Sequence, residues 1–110
     1  MINVTFEKNL VIISFDVDHV DSSNFREFKS VVQSYIKEGS KFIFDLGALK
    51  FIDSSGLGSF LSILRDLHKV NGDMVMCNPS AGVRMLFDLV CLDKVIQVFP
   101  DRKQAEQAFG

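Results

Sequence analysis

The chain has 110 residues and a net charge of -2, with 47% hydrophobic and 24% charged residues, the balance of a soluble globular protein that buries one core as a single domain spanning 1–110. Its lysines and arginines are dispersed, which excludes the basic stripe that direct nucleic-acid binding demands, and no apolar run approaches the length needed for membrane insertion. The first residues lack a signal peptide's basic flank and apolar run, and Cys77 and Cys91 stand among apolar neighbours outside any Cys-x-x-Cys spacing, so a cytoplasmic protein with two structural thiols is expected.

Ile2 to Glu7 and Leu10 to Phe15 read as strands, and Lys8-Asn9 between them as a tight turn, which predicts an antiparallel hairpin. After an Asp16-Val17-Asp18-His19 loop, Asp21 or Ser22 is placed to cap a helix. Its apolar positions are Phe25, Phe28, Val31, Val32, Tyr35 and Ile36, and Gly39 ends it. Lys41 to Leu46 suits a central strand, and a Gly47 to Ile52 loop leads to a second helix running from Ser54 to about Lys69.

On that helix Leu57, Phe60, Leu61, Leu64 and His68 share one predicted inward face, with Ser59, Ser62, Asp66 and Lys69 pointing away. Asn71-Gly72 stops it, and Met74 to Cys77 forms another buried strand. Pro79-Ser80 then opens a third helix expected to bury Val83, Leu86, Phe87 and Val90. Val95 to Phe99 is the last strand, and Pro100-Asp101 opens a terminal helix with Ala105, Ala108 and Phe109 inward. The order ββαβαβαβα predicts an α/β fold: a mixed β-sheet with covering helices joined by right-handed crossovers.

The stretch Asp53-Ser54-Ser55-Gly56-Leu57-Gly58 lies where a strand's exit loop becomes a helix, a place with free backbone N–H groups and a positive dipole end. Ser54 reads either as the helix N-cap or as a phosphoacceptor, and Ser55 carries the same chemistry. Asp53 either orders the loop through a local side-chain-to-backbone bond, or its carboxylate helps a kinase position Ser54 or contacts a partner. Gly56 and Gly58 each cost about 0.5 to 1 kcal/mol against alanine in a helix, which calls for close approach by a neighbouring strand or by another protein.

Other chemistries lack their parts. A dinucleotide fingerprint misses its third glycine, and no P-loop lysine follows the motif. A serine hydrolase needs a histidine base, but His68 stands about 21 Å from Ser54 along the helix at 1.5 Å per residue. His19 is a lone loop histidine, and no histidine or cysteine pair has metal-ligand spacing. Asp16 and Asp18 have no pocket or acid–base partner and read better as recognition residues. Ile63, at the margin of the second helix's apolar face, is either core edge or a protein-binding anchor.

The Asp53 to Gly58 stretch resembles the Asp-Ser-Ser/Thr-Gly-Leu-Gly signature of the STAS domain, in particular of bacterial anti-sigma factor antagonists. Asp16-Val17-Asp18-His19 resembles the family's acidic loop, and Met74-Val75-Met76-Cys77-Asn78-Pro79 its strand and turn before the third helix. Phe15 departs from the pattern, since many members carry glycine there.

The resemblance implies the STAS fold, with Ser54 rather than Ser55 as the phosphorylated residue and with Asp16, Asp18 and His19 on the partner-facing surface. It also implies a non-enzymatic switch that needs no cofactor. When unphosphorylated, the chain would bind an anti-sigma factor serine kinase of the histidine-kinase-like ATPase class and so free a sigma factor; a serine phosphatase would reset it. The alternatives are an unphosphorylated STAS interaction module of a transporter or signalling assembly and, further off, a small hydrolase using Ser54.

Overall fold

In the computed structural model, which describes residues 1–110, β1 (Ile2–Glu7) and β2 (Leu10–Phe15) pair antiparallel from Ile2 with Phe15 to Glu7 with Leu10. Their turn is Lys8-Asn9 as expected, with Lys8 in the left-handed conformation at φ 55°. The chain continues through β3 (His19–Val20), α1 (Phe25–Gln33), β4 (Lys41–Asp45), β5 (Phe51–Ile52) and α2 (Ser54–Lys69). It ends with β6 (Asp73–Cys77), α3 (Ala81–Leu89), a 3-10 turn (Leu92–Lys94), β7 (Val98–Phe99) and α4 (Arg102–Phe109).

The main sheet has the order β1-β2-β4-β6-β7, with every neighbouring pair after the hairpin parallel. This is the predicted mixed sheet. Successive strand residues point to opposite faces, so Val11, Ile13, Phe42, Phe44, Met74 and Met76 face the core shared with α1 and α2. Ile12, Ile43, Val75 and Cys77 face the other way, against Ala105 of α4.

Phenylalanine sets the larger core. The rings of Phe28 of α1 and Phe60 of α2 lie 5.0 Å apart, tilted by 59°, and both meet Phe44 of β4, which fixes the two helices against the sheet and each other. Phe15 packs 5.5 Å from Phe28 and is buried, so the aromatic ring at the family's glycine position is a core element.

Several boundaries differ from the expectation. Asp16 to His19 and Gly47 to Ile52 are not plain loops, because β3 and β5 form their own parallel ladder, His19 beside Phe51 and Val20 beside Ile52. Two-residue strands leave no periodicity to detect. The last strand is only Val98–Phe99; Val95 and Ile96 instead hydrogen-bond back to Leu92 and complete the 3-10 turn.

At the start of α1, Asp21 accepts from the Ser23 amide and Asn24 from the Asp21 amide, so the predicted cap residue closes a preceding turn instead. Val31, Val90 and Ala108 are exposed rather than inward. Cys77 is buried, its thiol pushed up to about 12 first by desolvation, whereas Cys91 is exposed, contrary to the structural reading of both.

The inward face of α2 is rotated from the predicted one: Gly56, Ser59, Phe60, Ile63, Leu64 and Leu67 are buried, while Leu61 and His68 are exposed. Ser59 tolerates burial because its hydroxyl donates to the Gly56 carbonyl at 2.6 Å. The helix ends at Asn71-Gly72 as predicted. Asn71 is left-handed at φ 60°, Gly72 donates to the Leu67 carbonyl, and a Cβ on Gly72 would stand 2.4 Å from the Ser40 carbonyl.

Candidate functional site

The α2 N-terminus is built by the short β3–β5 ladder. The amides of Lys50 and Phe51 both donate to the Asp18 carbonyl, at 2.7 and 3.2 Å, which brings the Asp18 to Ser22 segment beside the residues leading into the helix. Asp53 is the N-cap. Its Oδ1 accepts from the Gly56 amide at 2.9 Å, and its Oδ2 accepts from the Ser22 amide at 3.0 Å. One carboxylate therefore starts α2 and ties it to the segment that follows β3, which realises the loop-ordering reading of Asp53.

Ser54 is consequently not the cap. It is the first helical residue, its side chain is exposed, and its hydroxyl makes no hydrogen bond within the protein. The Ser54 and Ser55 amides also find no protein acceptor, leaving two N–H donors at the positive end of a 16-residue helix. Ser55 is half-buried, so the two hydroxyls that look alike in sequence differ in access.

Removing the carboxylate in Asp53→Ala deprives two amides of their acceptor and should cost about 1 to 3 kcal/mol. Asp53→Asn, which keeps one acceptor oxygen, should recover a large part of that loss. Thermal melts of the two variants beside the parent check this, and equal melting of Asp53→Ala and the parent would count against the double tether.

The two glycines separate cleanly. A Cβ on Gly56 would lie 2.1 Å from the Val20 carbonyl oxygen, so this glycine is required by the packing of α2 on β3 and is not a partner contact. A Cβ on Gly58 would meet nothing within 4 Å. Gly58 is exposed one turn beyond Ser54 on the same helix face, and nothing inside the protein accounts for it. Ile63 is fully buried among core residues, so it anchors α2 and presents no surface to a partner.

Asp18 and His19 form a hydrogen-bonded pair, Nδ1 to Oδ1 at 3.0 Å. That bond lowers the Asp18 carboxyl from its usual range and raises the His19 ring, with the nearby Asp21 charge acting in the same direction on the histidine. Asp21 itself is lowered chiefly by the Ser23 hydroxyl, which donates to it.

Asp16, Asp18, His19 and Ala48 line a shallow open groove, so the three predicted recognition residues do lie together. Neither histidine is hydrogen-bonded to Ser54: His19 is held by Asp18, and His68 meets Asp73 at 3.3 Å. The dyad-plus-serine arrangement a hydrolase needs is not assembled. No group of three or more histidine, cysteine or acidic side chains has the geometry to hold a metal ion, and no helix is long and apolar enough to cross a membrane.

Phe51, two residues before Asp53, is 54% exposed beside the serine motif. Its alternation with buried Ile52 is a strand pattern only two residues long.

The STAS domain family model matches residues 1–105. The chain is 30% identical over 86 residues to the anti-sigma F factor antagonist of Lysinibacillus sphaericus, covering 76% of this chain and 71% of that one. It is 27% identical over 97 residues to the anti-sigma F factor antagonist of Paenibacillus polymyxa, covering 87% and 81%. Its backbone matches the Bacillus cell fate determinant SpoIIAA in the phosphorylated form, with a TM-score of 0.73 at 22% identity over 100% of both chains.

Proposed function

The chain belongs to the STAS domain family, and on that premise we propose that it is an anti-sigma factor antagonist whose complexes are controlled by phosphate on Ser54. The proposal includes residues 1–110 acting as one domain in the cytoplasm. The general role is supported by relatives that carry this name across most of their length. Phosphate control is supported by one observation above the others: Asp53 takes over the capping of α2, which leaves the Ser54 hydroxyl exposed and without a bond to break.

The reaction belongs to the partner. A histidine-kinase-like ATPase that also serves as the anti-sigma factor would bring ATP to Ser54. The hydroxyl oxygen attacks the γ-phosphorus, the bond to the β–γ bridging oxygen breaks, ADP leaves, and the serine proton passes to a base on the kinase. This chain supplies an accessible acceptor at a helix end whose dipole favours the added negative charge. A serine phosphatase hydrolyses the ester and restores the binding form.

Asp18, His19 and Gly58 form the polar and sterically open part of the partner surface around Ser54, with Asp16 and half-buried Ser55 at its margins. The test is retention of a cognate kinase by the unmodified chain, followed by site mapping after ATP is added. Phosphate recovered mainly on Ser55 while Ser54 stays unmodified would sink the assignment.

Ser54→Ala should keep partner binding and lose ATP-dependent release. Because Asp53 holds the cap, its effect on stability should stay within about 0.5 kcal/mol, as for other surface substitutions. Co-elution with the kinase before and after ATP reads the first outcome, and thermal melting reads the second. Continued ATP-dependent release of this variant would place control elsewhere.

A further inference from the structure

The exposed face of α2 does not end at the serine. Ser54, Gly58, Leu61 and Arg65 follow one another at steps of four, three and four residues, so they share one side of the helix. That side runs about 16 Å from Ser54 to Arg65 at 1.5 Å per residue. It leads into an open groove lined by Leu61, Leu64, Arg65, His68, Lys69 and Val95. Leu61 and Val95 are 39% and 60% exposed, so the groove offers apolar surface beside its polar side chains.

The groove's chemistry is two-sided. Its apolar residues are Leu61, Leu64 and Val95, and its three polar residues are all basic types. Two nearby acidic side chains have other partners: Asp66 accepts from Gln33 of α1, and Asp73 meets His68. Arg65 and Lys69 have no carboxylate within ion-pair distance. Two unpaired cations beside an apolar trough complement a segment carrying leucine-like side chains on one face and carboxylates on the other. Nucleic acid is the poorer fit, because half of the lining would meet no phosphate and the chain's net charge is -2.

We propose that this groove seats an acidic amphipathic segment of the protein partner that covers Ser54, giving that partner a second foothold on α2. The inference rests on the function proposed above for the identity of the partner, while the groove's preference for an acidic segment stands on its own lining. The apolar side chains enter between Leu61 and Val95, and the carboxylates meet Arg65 and Lys69. Both charged residues are exposed, and the one side-chain hydrogen bond either makes, from Arg65 to Ser62, stays within the helix, so charge reversal leaves the core untouched.

The experiment uses the full chain and two ligands. The first is a synthetic amphipathic peptide of leucine and glutamate at helical spacing, with a leucine–lysine counterpart, followed by amide NMR. The glutamate peptide should shift Leu61, Arg65, Lys69 and Val95, and the lysine peptide should not. Arg65→Glu with Lys69→Glu should weaken the glutamate peptide about tenfold. Equal response to both peptides, shifts elsewhere, or preference for a single-stranded oligonucleotide over the glutamate peptide would overturn the proposal.

The second ligand is the kinase retained by the parent chain. The same double variant should bind it more weakly while Ser54 remains a substrate in excess kinase. If the parent retains no kinase, the function proposed above fails and the peptide result still decides the groove's chemistry. If the kinase binds both chains equally, the assignment of the groove to that partner is wrong.

Discussion

Gly56→Ala should be among the most damaging single-methyl additions to this protein, while Gly58→Ala, two residues away on the same helix, should stabilise it. The alanine Cβ at position 56 would stand 2.1 Å from the Val20 carbonyl oxygen and 3.0 Å from an Ile52 methyl, and a backbone oxygen in a strand ladder cannot step aside as a flexible side chain would. Either α2 tilts away from β3 or the β3–β5 pairing breaks, and either movement disturbs the Asp53 tether to Ser22. Overpacking of this kind costs about 1 to 3 kcal/mol or more, only partly offset by alanine's helix preference of about 1 kcal/mol.

We expect a net loss near 2 kcal/mol, which lowers the melting temperature by about 10 °C for a chain of this size. At Gly58 there is open space, and the propensity gain of about 0.5 to 1 kcal/mol stands unopposed. Urea denaturation of the two variants beside the parent measures the difference. Near-equal stabilities would mean that α2 does not sit as close to Val20 as described. The proposed partner adds a second reading of the same pair, because Gly58→Ala should bind the kinase less well while folding better. Improved stability with unchanged binding would make Gly58 a neutral surface residue.

The sequence alone does not distinguish these two glycines. Helix propensity marks both as costly and gives no means of telling a residue pressed against a strand from one left open for a partner. That distinction depends on β3 and β5, two-residue strands too short to carry a period. The longer elements are legible in the sequence: turn residues separate the two strands of the hairpin, the central strand Lys41–Asp45 is a continuous apolar run, and helical spacing marks the 16-residue α2.

The rotation of α2 has a plain cause. Leu61 and His68 look inward by hydropathy and amphipathic shape, yet the close approach at Gly56 turns the helix so that Ser59 and Ile63 face the core instead. Ile63 thus moves from candidate anchor to buried residue. The serine motif itself was visible in sequence, and what only three dimensions supply is the division of labour within it: Asp53 caps, Gly56 packs, Ser54 is left free.

Phosphorylation of Ser54 should abolish the partner complex while leaving the fold intact, with an affinity loss of at least about a hundredfold, equivalent to about 2.7 kcal/mol. The phosphate adds about 1.5 to 2 negative charges at the first residue of α2, where the helix dipole favours them by about 0.3 to 1 kcal/mol. The unpaired amides of Ser54 and Ser55 lie at that same end, and the hydroxyl that would be esterified holds no bond whose loss could unravel the helix. Against this stands the neighbouring Asp53 carboxylate. Its oxygens face the Gly56 and Ser22 amides, and its repulsion of an exposed phosphate is weakened by the high dielectric of the surrounding water.

The two effects nearly cancel in the isolated protein, so its stability should change by no more than about 1 kcal/mol. In a complex the balance shifts. A partner packed over Ser54 and the open face at Gly58 would have to strip water from a dianion and make room for it, and desolvating a charge without a matched counter-charge costs several kcal/mol. Binding therefore fails well before folding does. Amide NMR spectra and thermal melts of unmodified and Ser54-phosphorylated protein, run beside titrations of the kinase, separate the outcomes. Shifts confined to residues near positions 18–22 and 50–58, with an unchanged melt and lost binding, are expected; general loss of dispersion or a large fall in melting temperature accompanying the lost binding would show that the phosphate acts by unfolding α2.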